Sequence, residues 1–295
     1  MLAFEFHSPE QEIIFPLYKQ NNIRVFVKRD DLIHPYISGN KWRKLKHPVN
    51  QAKKLAKQTL VTFGGAWSNH LLATAAAGAA FNFKTIGFVR GEEVDNPILK
   101  LCQIFGMELI FVSRETYKNK RLLFDENFAL DPQAFYIDEG GYSEQGALGC
   151  KDVIGELTRT YDQIYCAGGT GTTLAGLQMG IQENKLESML IGVPVLKGGN
   201  FLLEEIEKLG IQTRSLPKLL LDYHFGGYAK TTPELISFVK NFTRQTGILV
   251  EPTYTGKLFY ALHDQILQGQ IKPHSTVLAL HTGGLTGILG LLDKF

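Results

Sequence analysis

Cysteine is scarce: Cys102, Cys150 and Cys166 are the only three in 295 residues. They are odd in number and far apart, with no CxxC and no His/Cys pair at metal-ligand spacing. Neither a disulfide scaffold nor a zinc site organises this chain, and a reducing cytoplasm suits it. A charge excess of one sign is also missing. The 31 Lys and Arg against 29 Asp and Glu leave +2, which gives no footprint for nucleic acid or an anionic membrane. The longest apolar run, Leu71 to Phe81, is too short and too Ala-rich to span a bilayer. Met1 to Glu10 lacks the basic and apolar regions of a signal peptide. Repeats, low-complexity tracts and a Pro/Ser-rich linker are absent as well. What remains is 44% hydrophobic and 20% charged, the balance of a soluble globular protein with one large domain or two modest ones.

Short β-branched runs alternate with helical patterns, which predicts an α/β fold with mostly parallel sheets. Strands are expected at Ile23–Val27, Leu60–Phe63, Lys84–Val89, Leu109–Val112 and Phe135–Ile137. A second series follows at Gln163–Ala167, Met189–Val193 and Val277–Leu280. Helices are expected over Asn69–Phe81 with Ser68 as N-cap, and over Pro97–Phe105 and Ser143–Tyr161. Further helices are expected over Thr173–Gln182, Pro233–Thr246 and Gly256–Gln268. Lys197–Asn200 and Phe225–Tyr228 read as loops. Two closely packed α/β series leave a cleft between them as the natural ligand site.

Two motifs carry chemistry. Gly168-Gly169-Thr170-Gly171-Thr172-Thr173 follows a strand and opens a helix, so its N–H groups and the helix dipole converge on a spot suited to an anion. Leu174 breaks the dinucleotide fingerprint, and no Gly-Lys-Ser/Thr makes it a P-loop. A small phosphomonoester fits better, although a plain Gly-rich turn would look the same. The other motif is Ser38-Gly39-Asn40-Lys41, which places a lysine at a helix start. A lysine that attaches covalently to a carbonyl must be part-time deprotonated, through desolvation and neighbouring cations such as Arg43 and Lys44. Alone, Lys41 reads equally as a solvated surface lysine. Lysine and phosphate cup together are what a pyridoxal phosphate enzyme needs. Gly64-Gly65-Ala66-Trp67-Ser68-Asn69-His70 adds a strand end and a helix start able to hold a carboxylate; simple capping would also explain Ser68. Glu251-Pro-Thr-Tyr254-Thr255-Gly-Lys257 and His281-Thr282-Gly-Gly284 are a turn and a strand end that could flank an aromatic cofactor.

From Val27-Lys-Arg-Asp-Asp31 to His281-Thr-Gly-Gly284 the chain resembles the pyridoxal-phosphate-dependent 1-aminocyclopropane-1-carboxylate (ACC) deaminases and D-cysteine desulfhydrases. These belong to the tryptophan synthase β-like class. Gly-Asn-Lys-x-Arg-Lys-Leu is specific within that class. The resemblance implies two α/β domains with open, twisted, mostly parallel sheets, helices on both faces and the cofactor between them. The larger domain would be 1–43 with 150–295, and the inserted smaller one 44–149. Lys41 would be the Schiff-base lysine, Asn69 the partner of the cofactor's phenolic oxygen, and Gly169, Thr170, Gly171, Thr172 and Thr173 the phosphate cup. Trp67, Ser68, Asn69 and His70 would face the substrate, with Tyr254 and Tyr228 as active-site tyrosines. A homodimer is common in this class.

Thr255 and Thr282 side with the desulfhydrases, where ACC deaminases resemble Tyr-Glu-Gly-Lys and His-Leu-Gly-Gly. A glutamate at 255 would keep the pyridine nitrogen protonated and strengthen the electron sink; a threonine would not. The expectation is β-elimination from a small amino acid, D-cysteine giving sulfide, pyruvate and ammonia. The alternatives are ACC deamination to 2-oxobutyrate and a non-catalytic cofactor carrier. Two departures from the family stand out: Trp67 where Gln is usual, and a shortened stretch around Lys197–Asp222.

Overall fold

The structure, a computed structural model, describes residues 4–210 and 216–295. Met1–Ala3, the start of the segment weighed as a leader, and 211–215, inside the shortened stretch, lie outside them. In chain order the elements begin β1 (Glu10–Ile13), α1 (Pro16–Gln20), β2 (Arg24–Lys28) and α2 (Asn40–Lys54). Next come β3 (Thr59–Gly65), α3 (Asn69–Phe81), β4 (Lys84–Arg90), α4 (Pro97–Ile104), β5 (Met107–Val112), α5 (Lys120–Phe128) and β6 (Ala134–Tyr136). The chain continues through α6 (Glu144–Gly155), β7 (Gln163–Gly168), α7 (Thr172–Glu183), β8 (Met189–Pro194), α8 (Phe201–Lys208) and β9 (Lys218–Leu219). It ends with α9 (Pro233–Thr246), α10 (Thr255–Leu267), β10 (Thr276–Leu280) and a 3-10 run, Leu285–Lys294.

Two sheets result, one in the order β1-β2-β10-β7-β8-β9 and one in the order β5-β4-β3-β6. All neighbours run parallel except β1 with β2. The fold is α/β with two mainly parallel sheets. The strands of the second sheet lie in sequence between β2 and β7 of the first. Alternation along the strands places helices on both faces of the larger sheet. Val25, Val27, Tyr165, Ala167, Val277 and Ala279 pack with α9 and α10. Phe26, Ile164, Cys166, Leu278 and Leu280 point the other way, into α6 and α7. Strands covered on both sides read as continuous apolar runs, and β3 is buried from Thr59 through Gly64. Each such side chain fully buried contributes about 1.5–3 kcal/mol. Among the described residues no helix is long and apolar enough to cross a membrane.

The helix expected over Ser143–Tyr161 stops at Gly155. Glu156 leaves the helix to join a charge network: it is paired with Lys28 at 3.0 Å and with Arg43. Arg43 also holds the fully buried Asp30 through Nη2 at 2.9 Å and Nε at 3.1 Å. This network ties α2 to the end of β2 and to α6. Close packing helps: a Cβ at Gly149 of α6 would sit 1.9 Å from the Arg43 carbonyl oxygen.

Candidate active site

A cavity of about 720 Å³ opens where the carboxyl ends of β3, β4 and β7 meet the N-terminal ends of α2, α3 and α7. Ligands in open α/β sheets bind outside the carboxyl ends of strands. Lys41, Trp67, Ser68, Asn69, His70, Gly169, Thr170, Gly171, Thr173, Tyr228 and Tyr254 all line it. Thr172, Thr255 and Thr282 lie behind its surface.

Lys41 is the second residue of α2. Its approach is set by Gly39, at φ +58°, where a Cβ would fall 1.9 Å from the Thr282 carbonyl oxygen. The Gly39 N–H donates to the Asp30 carbonyl and the Asn40 N–H to that of Thr282, so the lysine's turn is pinned to the ends of β2 and β10. Gly39→Ala is expected to cost about 1–3 kcal/mol from backbone strain alone, and to weaken cofactor retention because the turn must move. Urea unfolding beside cofactor absorbance checks both. Burial pulls the Lys41 amine down to about 7, helped by the charge of Lys44, while Cys150 and Glu139 oppose. No ion pair or hydrogen bond neutralises Lys41 among the described residues.

Across the cavity, β7 ends in Gly168 and α7 begins after Gly171, which is in the left-handed region and offers no side-chain cap. The first helical bond runs from the Ala175 N–H to the Gly171 carbonyl. Among the described residues the N–H groups of Thr172, Thr173 and Leu174 therefore have no acceptor. Thr173 Oγ1 accepts from Asn40 Nδ2 at 3.2 Å, joining the two helix starts. Lys44, buried on the same face of α2 as Lys41, also lines the cavity, and burial lowers its pKa. Orphaned donors at a helix N-terminus beside a buried cation call for an anion. A phosphate there and a carbonyl at Lys41 fit the two ends of one small cofactor.

The third wall is the start of α3. Ser68 Oγ accepts from the N–H groups of His70 at 3.2 Å and Leu71 at 3.3 Å, so it caps the helix. The Asn69 N–H has no acceptor among the described residues, and the Ser68 hydroxyl proton is free to donate. These two groups suit a substrate carboxylate. Thr286 donates to Asn69 Oδ1 at 3.1 Å and fixes the amide. The His70 ring turns inward: Thr62 Oγ1 donates to the Ile137 carbonyl, so it accepts from His70 Nε2 at 2.9 Å. Burial and the nearby lysines hold the His70 pKa well down, and the ring stays neutral.

On the fourth wall the Tyr254 ring lies over Gly169, where a Cβ would be 3.1 Å from it. Tyr228 stands edge-on to Tyr254, ring centroids 5.9 Å apart. Burial, then Tyr228, raise the Tyr254 pKa well above its ordinary value, so its hydroxyl is a proton donor at neutral pH. The buried Glu251 carboxylate, read in the sequence only as part of a turn, also lines the cavity. It accepts from the N–H groups of Thr253 and Tyr254 at 2.7 Å and of Thr255 at 2.8 Å. Burial nevertheless pushes it up to about 7. Thr255 Oγ1 accepts from the Glu251 N–H at 3.0 Å, which is why it faces that carboxyl's loop rather than the cavity. Its signal was present in the sequence: an acidic residue followed by proline just before a helix. At the mouth the Trp67 indole lies against Gly290 of the 3-10 run, which adds Gly287, Gly290 and Leu291 to the lining.

Residues 14–283 match the family model described as pyridoxal-phosphate dependent enzyme. A Pyrococcus abyssi protein with the provisional name 1-aminocyclopropane-1-carboxylate deaminase is 32% identical, covering 92% of this chain and 87% of its own. A Thermotoga maritima protein of the same provisional name is 31% identical, with 92% of each chain covered. A crystal structure described as an ACC deaminase homologue superposes with a TM-score of 0.88 at 29% identity, over 98% of this chain and 93% of that one. The L-serine ammonia-lyase of Rhizomucor miehei shares the fold, with a TM-score of 0.72 at 18% identity over 97% and 96% of the two chains.

Proposed function

Because the chain belongs to the family of pyridoxal-phosphate-dependent enzymes, with pyridoxal phosphate as its cofactor, we propose that it removes sulfide and ammonia from a small amino acid, D-cysteine, leaving pyruvate. The carrying observation is Lys41, unpaired on the cavity wall opposite the uncapped start of α7. Lys41, Lys44, Asn69 and the Gly169–Thr173 loop would hold the cofactor. Bound there, it supplies an electron sink for negative charge at the substrate Cα.

The chain's own groups do the rest. The Asn69 N–H and Ser68 hydroxyl hold the substrate carboxylate and orient the Cα–H bond. The Lys41 amine, which burial brings down to about 7 so that a large share of it is unprotonated at neutral pH, would take the Cα proton. Tyr254, protonated, donates to the sulfur as the Cβ–S bond breaks with its electron pair. Tyr228 and Trp67 line the cavity and stay part-exposed, leaving a way in for the water that, once sulfide has left, releases ammonia and pyruvate. The choice of D-cysteine rests on Thr255 and Thr282: neither puts a carboxylate or a bulky apolar chain where ACC deaminases resemble Glu and Leu.

A second reading, ACC deamination, is favoured by the provisional names of the relatives and by the cavity-facing Glu251. Measuring pyruvate and sulfide from D-cysteine beside 2-oxobutyrate from ACC separates the two. D-cysteine is expected to show the larger kcat/KM. Equal or faster turnover of ACC would hand the function to the second reading. A cofactor spectrum unchanged by any D- or L-amino acid would indicate a carrier.

A further inference from the structure

Lys257, on the first turn of α10, has no exposed surface. Its ammonium donates to three backbone carbonyls, those of His224 and Gly227 at 2.8 Å and of Val195 at 3.3 Å. No carboxylate is paired with it among the described residues. Burying an ammonium is costly unless its hydrogen bonds are satisfied, and here all three protons are used. The carbonyls come from two separate segments, the residue after β8 and the loop leading to Tyr228. In each the next residue lines the cavity: Leu196 follows Val195, and Tyr228 follows Gly227. Apart from Lys257, the loop is held by its own turn bonds, from the Gly226 N–H to His224 Nδ1 and from the Gly227 N–H to the His224 carbonyl, and by the Phe225 ring edge-on to Tyr260 at 4.9 Å. Gly226 and Gly227 are both at positive φ, and a Cβ on Gly227 would meet nothing closer than 3.9 Å. Three carbonyl oxygens converging on one buried charge are the environment a potassium or ammonium ion takes.

We propose that Lys257 is a positioning residue whose ammonium acts as a tethered monovalent cation. It locks the 224–227 loop and the end of β8 onto α10, so that Tyr228 and Leu196 are held in the cavity wall against Tyr254. This rests on the proposed role of the two tyrosines in elimination and deepens it. The loop then needs no dissolved cation for its order, and a chain lacking the lysine would.

The test uses the holoenzyme and Lys257→Ala in buffer whose only monovalent cation is tetramethylammonium, too large for the cage, with ammonium or potassium then added. The variant is expected to lose about 10²-fold in kcat, the scale for a group displaced by about 1 Å, with KM changed far less. Ammonium should restore it saturably while leaving wild type unaffected. Lys257→Met fills the space without charge and should respond to no cation. Hydrogen exchange at 224–229 should be faster in Lys257→Ala and slow again with ammonium. That readout needs no substrate, so it stands even if D-cysteine proves wrong. A variant that folds only with ammonium present also supports the proposal. Full activity in Lys257→Ala, losses no cation reverses, or a variant that fails to fold even with ammonium would each overturn it.

Discussion

Lys41→Ala is expected to abolish turnover and, at the same time, to raise the melting temperature of the cofactor-free protein near pH 6. The first effect follows from losing both the cofactor's covalent anchor and the base for the Cα proton, at least about 10⁴-fold in kcat. The second follows from the sign of the pKa shift. Burial and Lys44 depress the folded-state pKa of Lys41 from 10.5 to about 7. Between those values the unfolded chain binds the proton and the folded one does not. Stability therefore rises as pH climbs from about 7 towards 10.5, and below 7 the fold carries the full cost of a buried, unpaired charge. Alanine removes that cost. Thermal melts of the cofactor-free proteins should show the variant ahead at pH 6 and the gap closing by pH 10. A variant less stable at pH 6 would mean that Lys41 is a structural, paired residue.

Arg43→Ala is expected to lose about 3–5 kcal/mol of stability, the scale for removing one partner of a buried ion pair. Asp30, fully buried, would lose both bonds from the guanidinium, and Glu156 would keep only Lys28. Arg43→Lys should recover little, because a single ammonium cannot reproduce a planar fork that serves two carboxylates. Urea unfolding of both variants measures this. A loss within 1 kcal/mol would show that the network contributes nothing to holding α2. Because α2 carries Lys41, the same variant should also retain cofactor poorly.

Much of this was legible in the sequence because the buried strands read as short β-branched apolar runs and the loops carry glycines with stated jobs. Lys41, the Gly169–Thr173 loop, Ser68, Asn69 and Tyr254 are local signals: each sits at a helix start after a strand or turn, and the fold brings such starts to one edge. What the sequence did not show depends on tertiary contact. Glu156 leaves α6 because Lys28 and Arg43, more than 100 positions away, offer it charge. Thr255 faces Glu251 because the helix start curls round that carboxyl. The 3-10 run at Leu285–Lys294 buries no residue in the core, yet it supplies Thr286 for Asn69 and Gly290 for Trp67. Lys257 looked like one more charged residue in a helix; its three carbonyl partners lie 30 to 62 positions away in sequence.

The central claim is that Lys41, among the four buried or cavity-facing lysines 28, 41, 44 and 257 of the described residues, carries the cofactor. Reducing the holoenzyme with borohydride fixes a cofactor attached through a lysine, and peptide mapping by mass spectrometry then locates it. The account predicts the pyridoxyl phosphate adduct on Lys41, and its absence from Lys41→Ala treated alike. An adduct on Lys28, Lys44 or Lys257, or a holoenzyme that yields none, would contradict it.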